Sequence, residues 1–161
     1  MFLSILKSPI GQIIIKANEQ EVYSINFEDQ FSEENPNKIS ELAKAQLIDY
    51  FDGNITNFDF PMLKSGTDFQ RKVWIELRKI DAGKPITYAA LAKRMKNPLA
   101  IRAIASANGK NNLMIAIPCH RVIGSKGELV GFSGGLWRKK WLLEHEARMT
   151  RSGQSTLMYE F

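Results

Sequence analysis

Charge divides this chain into two unequal parts, and that division constrains its folding more than any other feature. Residues 1–64 carry five Lys against ten Asp or Glu, a net of −5; residues 65–161 carry 17 Lys or Arg against seven acids, a net of +10. A single mixed domain gives no reason to sort charge along the chain. The pattern predicts two units, the second facing a polyanion. The plainer alternative is a basic face that is only solvated. A length of 161 residues suits one ordinary domain or two small ones. At 44% hydrophobic and 24% charged, the composition is that of a soluble globular protein. No apolar run approaches the ~20 residues that cross a bilayer. The opening Met1-Phe2-Leu3-Ser4-Ile5-Leu6-Lys7 lacks the basic leader and long apolar stretch of a signal peptide. A cytoplasmic protein without membrane contact is the default expectation, nucleoid-associated if the source is prokaryotic.

Residues 1–64 read as a small sheet with a helix against it. Strand-like runs cover Phe2 to Lys7, Gln12 to Ala17 and Val22 to Phe27, and Pro9-Ile10-Gly11 punctuates the first two. A helix is predicted from about Pro36 to Phe51, with Ile39, Leu42, Ala43, Leu47 and Tyr50 on one stripe. This unit holds no Cys and no His, and it reads as a scaffold. The boundary falls near Pro61 to Gly66. Thr67-Asp68-Phe69-Gln70 fits a capping box, and Phe69, Val73, Leu77 and Ile80 give the helix it starts an apolar face. Thr87 caps a short helix, Tyr88 to Met95; Asn97-Pro98 turns into a second, Leu99 to about Asn108. Two short helices and a tight turn in a basic setting suggest a helix-turn-helix. A last helix is expected over Leu136 to Arg148, with Trp137, Trp141 and Leu142 buried. The domains are therefore read as 1–64, 65–149 and a polar tail, 150–161.

The chemistry concentrates at Ile117-Pro118-Cys119-His120-Arg121-Val122, which holds the one cysteine and one of two histidines. A lone cysteine excludes an intramolecular disulfide and a multi-cysteine zinc site. The apolar run Leu113 to Ile117 reads as a buried strand ended by Pro118, which sets Cys119 at the mouth of a pocket. A thiol has a reference pKa of ~8.5, and only the thiolate attacks well. His120 is adjacent, so the two side chains do not readily meet head-on, but a bridging water could link them. Glu146 is a candidate to orient the imidazole and support its cationic form. His145 reads as a packing or exposed residue.

Further on stand Gly131-Phe132-Ser133-Gly134-Gly135-Leu136 and Trp141-Leu142-Leu143-Glu144-His145-Glu146. With Pro98-Leu99-Ala100-Ile101-Arg102-Ala103, these motifs resemble the O6-alkylguanine-DNA alkyltransferase family. The likeness is strong from Thr67 to Glu146 and weak over residues 1–64. It implies a ribonuclease-H-like α/β domain followed by a mostly helical DNA-binding domain with a helix-turn-helix. It implies transfer of an alkyl group from O6 of guanine to Cys119, in a single turnover that consumes the protein. Cys119, His120 and Glu146 match the family's cysteine–water–histidine–glutamate relay. Arg102 matches its arginine finger, which fills the gap left by an extruded base, and Tyr88 matches the tyrosine that assists flipping and bonds the guanine ring. Ala100, Ala103, Ala105 and Ala107 are small enough to let the helix approach the minor groove. Asn111 matches the asparagine that braces the turn before the active-site strand, although Asn111-Asn112 stands where many members have Asn-Pro. The carbonyls of Cys119 and Val122 are expected to accept from the guanine amino group, and the Ser133 amide to meet O6. Phe132 stands where many relatives have Tyr, which makes the pocket more apolar.

The partner implied is double-stranded DNA containing O6-alkylguanine, bound by a monomer, with cooperative binding along DNA left open. No cofactor is implied. Some relatives carry structural zinc in the first domain; with no His before position 120 and a lone Cys, no metal is expected here. Other readings are a non-enzymatic lesion binder like the alkyltransferase-like proteins, a plain helix-turn-helix repressor and a cysteine hydrolase. The first lacks a reactive cysteine, the second leaves the pocket motif unexplained, and the third lacks an evident acyl pocket.

Overall fold

A computed structural model describes residues 1–63 and 65–150; of the tail expected at 150–161, Thr150 closes the last helix and 151–161 lie outside the described residues. By contacts the described residues form two compact units, Met1–Ser65 with Asn112–Ala116, and Gly66–Asn111 with Ile117 to Thr150.

The first unit is an antiparallel meander of β1 (Phe2–Ser8), β2 (Gly11–Ala17) and β3 (Val22–Phe27), in that order, with helix α1 (Lys38–Phe51) against it. In the central strand Ile13, Ile14 and Ile15 are all buried. Such a run reads as a continuous apolar stretch rather than an alternation. Helix α1 starts later than Asn35-Pro36 suggests. Asn37 is the N-cap: its side chain accepts from Ser40 N, and Ser40 Oγ accepts from Asn37 N. Its buried stripe is Ser40, Ala43, Leu47 and Tyr50, and Leu42, expected inside, is exposed. Ser40, on the other side of the helix from Leu42, faces inward, and its hydroxyl bonds that of Ser4 on β1 at 2.8 Å.

Leu113 to Ile117 were expected to form a strand. They are buried, but no continuous strand forms: Leu113 makes a parallel bridge to Ile25, with Ile25 N donating to Asn112 O and Met114 N to Ile25 O. Ile115, at φ +72°, then breaks the extension. An apolar run cannot report a single residue in the left-handed region, which β-branched side chains rarely enter.

The second unit opens with α2 (Asp68–Arg78), whose capping box forms as expected: Thr67 accepts from Gln70 N, and Gln70 accepts from Thr67 N. Val73, Trp74 and Leu77 are its buried face, and Trp74 Nε1 donates to Ala107 O at 3.0 Å. That bond turns Ala107 inward, so it is not one of the small residues open to a partner. After β4 (Ile86–Thr87), Thr87 caps α3 (Tyr88–Arg94). Helix α4 spans Ile101–Gly109, two residues shorter at its start than expected. Its N-cap, Ala100, supplies no side-chain bond, and Leu99 stays in the turn, almost wholly exposed. Lys96, at φ 57°, makes the bend between the helices. A 3-10 turn, Cys119–Arg121, runs into β5 (Val122–Ile123), which pairs in parallel with β4. Helix α5 (Leu136–Thr150) buries Lys139, Leu142, Leu143, His145, Glu146 and Ala147. Trp137, expected inside, is exposed and lies under the Arg138 guanidinium; Trp141 is half-buried and stacks on His145 at 4.8 Å.

Candidate active site

Cys119 is placed by a tight turn. Its amide donates to Ile117 O at 2.7 Å around Pro118 (φ −80°, ψ 66°), an inverse γ-turn that proline's fixed φ favours. The Asn111 side chain donates to the same Ile117 carbonyl at 2.8 Å, and it also hydrogen-bonds the Cys119 sulfur. The thiol is 4% exposed. Burial pushes its pKa up, against the pull of Asn111, the Lys139 charge and the amides of Cys119 and His120. At neutral pH the resting sulfur is a thiol, and the groups that would receive a thiolate are already around it.

One residue on, His120 is fully buried, with Nε2 at 2.7 Å from Glu146 Oε2. Arg121 clamps the same carboxylate: Nε donates to Oε1 and Nη2 to Oε2, both at 2.9 Å, while Nη1 donates to Ile80 O at 2.7 Å. Burial alone would raise Glu146, but His120 and Arg121 outweigh it and hold the carboxyl down at about 2. An ionised carboxylate only accepts, so Nε2 carries the proton and Nδ1 is the accepting nitrogen. Nδ1 is buried and has no hydrogen-bond partner among the described residues. Burial lowers the His120 pKa, overriding the opposite pull of Glu146, with Arg121 and Lys139 adding to the fall. The imidazole is therefore neutral at rest and basic at Nδ1.

A cavity of about 560 Å³ adjoins α3, α4 and the loop before α5, within the range of small-ligand sites. Tyr88, Arg102, Phe132 and Ser133 line it, as do Ile101, Ala105 and Gly131. Cys119, Asn111, Val122 and Ala103 do not. Ala103 is exposed elsewhere on α4, and Val122 is fully buried. Cys119 connects to the cavity through one residue: Asn108 Nδ2 lies 3.3 Å from both the Cys119 carbonyl and the Tyr88 hydroxyl. The cavity loop turns at Gly131 (φ 60°) and Gly135 (φ 95°), conformations that favour glycine. Helix α5 holds it: Lys139 Nζ donates to Val130 O at 2.8 Å and Arg138 Nη1 to Gly134 O at 3.0 Å.

Three functional residues escaped the sequence reading. Arg121 stood inside the quoted motif but had no assigned partner. Lys139 lies two turns before Glu146 on α5, and that spacing puts both on one face; large aromatic neighbours masked it. Its burial lowers its pKa to about 8, against the pull of Cys119. Asn108, inside a run of small residues, gave no signal.

Two family models match the chain: the ribonuclease-like domain of 6-O-methylguanine DNA methyltransferase over residues 1–63, and the DNA-binding domain of the same protein over residues 68–148. A methylated-DNA–protein-cysteine methyltransferase of Methanosarcina acetivorans is 38% identical over 154 residues, which is 91% of this chain and 98% of the relative. One of the same name from Shigella flexneri is 44% identical over 119 residues, 73% of this chain and 67% of the relative. The crystal structure of Mycobacterium tuberculosis O6-methylguanine methyltransferase superposes with a TM-score of 0.82 at 36% identity, covering 92% of this chain and 93% of that one. Mycobacterium tuberculosis OGT in complex with DNA gives 0.83 at 35% identity, covering 98% of each chain.

Proposed function

Because the chain belongs to the 6-O-methylguanine DNA methyltransferase family, we propose a residue-level account of its reaction. The protein binds DNA and repairs it by direct transfer of an alkyl group, as a methylated-DNA–protein-cysteine methyltransferase. Cys119 is the acceptor. The observation that carries this is the buried His120–Glu146 bond of 2.7 Å one residue from the thiol, with His120 Nδ1 left bare. Nδ1 takes the thiol proton through a bridging water, and Glu146 steadies the imidazolium. Arg121 keeps that carboxylate ionised and fixes its orientation. The sulfur attacks the carbon on O6, the S–C bond forms as the C–O bond breaks, and a thioether remains. Nothing hydrolyses that thioether easily, so each molecule acts once.

A stacked base cannot reach a sulfur this enclosed, so the lesion rotates out of the duplex into the cavity lined by Tyr88, Phe132 and Ser133. Helices α3 and α4 act as a helix-turn-helix, with Arg102, exposed at the start of α4, filling the gap and Ala103 lying against the minor groove. The Ser133 amide meets O6, and the carbonyls of Cys119 and Val122 accept from the guanine amine. Asn111 braces the turn before Cys119, which its bond to Ile117 supports. The second unit thus carries the chemistry as a monomer on DNA, and the first, of the ribonuclease-H-like class, supports it.

Intact-mass measurement after incubation with duplex DNA containing O6-methylguanine tests the assignment. The expected result is one added methylene unit, mapped to Cys119; Cys119→Ala abolishes the gain while DNA binding persists. A folded, DNA-bound protein of unchanged mass sinks the reading.

A further inference from the structure

Asn108 touches neither the sulfur nor the imidazole, yet it joins the Tyr88 hydroxyl to the Cys119 backbone. It sits in the last turn of α4, 3% exposed, with Nδ2 at 3.3 Å from the Tyr88 hydroxyl and 3.3 Å from the Cys119 carbonyl. A carbonyl only accepts, so the atom that faces both is the amide NH2, and the Tyr88 oxygen is the acceptor of its bond. With its oxygen engaged from that side, the Tyr88 hydroxyl has its own proton free to donate elsewhere. The other end of Asn108 is unsatisfied: Oδ1 is buried and has no partner among the described residues. An aliphatic side chain of the same size would fill the position without an unpaired carbonyl, so an amide here costs stability that packing does not explain.

We propose that Asn108 is a positioning residue for alkyl transfer: it holds the Tyr88 hydroxyl as the proton donor to the departing guanine. The proposal rests on the reading of Tyr88 as the side chain that meets the flipped base. When the O6–carbon bond breaks, its electron pair stays on the guanine as the carbon joins sulfur. The base then needs one proton. Tyr88 supplies it, and the phenolate left behind recovers a proton from His120, which received the one from Cys119. The thiol proton thus ends on guanine, and all charges cancel. Burial and a charged Cys119 sulfur both push the Tyr88 phenol up, away from this role, while the hydrogen bond from Asn108 pulls it down. Its second bond, to the Cys119 carbonyl, ties the donor to the backbone of the nucleophile.

Single-turnover transfer from saturating O6-methylguanine duplex tests this in four variants: Asn108→Leu, Asn108→Asp, Tyr88→Phe and the double variant Tyr88→Phe/Asn108→Leu. Asn108→Leu is expected to slow transfer about ten-fold in the wild-type background and to add nothing once the phenol is gone. Asn108→Asp, whose carboxylate draws the phenol proton to itself, is expected to be slow at neutral pH and to recover as pH falls. Equal slowing by Asn108→Leu in both backgrounds would show a structural role and overturn the proposal. So would wild-type rates in Asn108→Leu, or a pH profile for Asn108→Asp parallel to wild type. The Asp variant decides the matter alone if the Leu variant does not fold. If Tyr88→Phe itself transfers at the wild-type rate, the reading of Tyr88 fails first; if it is slow and uncoupled from Asn108, only the present proposal fails.

Discussion

In the first unit the buried polar side chains, among the described residues, are two serines, Ser4 and Ser40, and they bond each other. In the second they are Asn108, Asn111, His120, Arg121, Lys139, His145 and Glu146. One core is built of aliphatic and aromatic side chains, among them Tyr50, Phe58 and Phe60, with the serine pair as its buried polar element. The other encloses full charges, an unpaired amide oxygen and an unpaired imidazole nitrogen. Burying charge is expensive unless it is paired and hydrogen-bonded, and even then an apolar replacement is often no worse for stability. The contrast therefore teaches where stability has been given up. The second unit carries groups that folding alone would discard, and they converge on one sulfur.

The comparison is broken most severely at Arg121. Arg121→Met strips the guanidinium from the buried Glu146 carboxylate and is expected to cost about 4 kcal/mol by chemical denaturation. It should also raise the His120 pKa, since the Arg121 charge opposes protonation there; an unchanged histidine titration by NMR would contradict this. Leu47→Ala removes an equally buried side chain from the first unit. It is expected to cost about 3 kcal/mol, with the transfer rate of the folded fraction unmoved. If that rate drops as well, the division between a supporting and a reacting unit is wrong.

Acid sharpens the contrast further. Glu146 is held at about 2 against an ordinary 4.5. The unfolded chain binds more protons between those values, so stability from this group is complete above about 4.5 and is lost as pH falls toward 2. The loss is on the order of 3 kcal/mol. Thermal melts of wild type and Glu146→Gln across that window should converge at the acid end; parallel curves would refute the assignment. The smallest effect is a gain. Lys96 sits exposed at φ 57°, and Lys96→Gly should raise stability by about 1 kcal/mol, read as a higher midpoint with an unchanged slope.

Legibility in the sequence follows the range of the forces involved. The three strands and the start of α2 were readable because alternation, apolar runs and the Thr67–Gln70 capping box are local signals. By contacts the first unit takes in Asn112–Ala116 as well as Met1–Ser65, a return of the chain that charge along the sequence does not report. Cys119, His120 and Glu146 were readable as a set by motif, and the structure brings His120 to Glu146. What escaped depends on distant partners. Ser40 faces inward to a partner on β1, Ser4, while Leu42 faces out. Lys139 is buried because the Val130 carbonyl receives it, whereas composition alone marks lysine as a surface residue. The Leu113 to Ile117 run has the residues of a strand, and a turn at Ile115 undoes it. Cys119 was expected at the mouth of a pocket; it lies instead behind Asn108 and Tyr88, because the Pro118 turn starts a 3-10 helix rather than an open loop.

A reagent that can be spent only once must survive until it meets its target. Free thiolates are consumed by dissolved oxidants and stray electrophiles, whereas protonated, shielded thiols are largely inert. With 4% exposure and a pKa pushed up by burial, Cys119 belongs to the second kind until a ligand arrives. A soluble aromatic disulfide should label the native protein far more slowly than the urea-unfolded chain. The enclosure that makes the sulfur sluggish in isolation is what gives an unused molecule its shelf life in the cell.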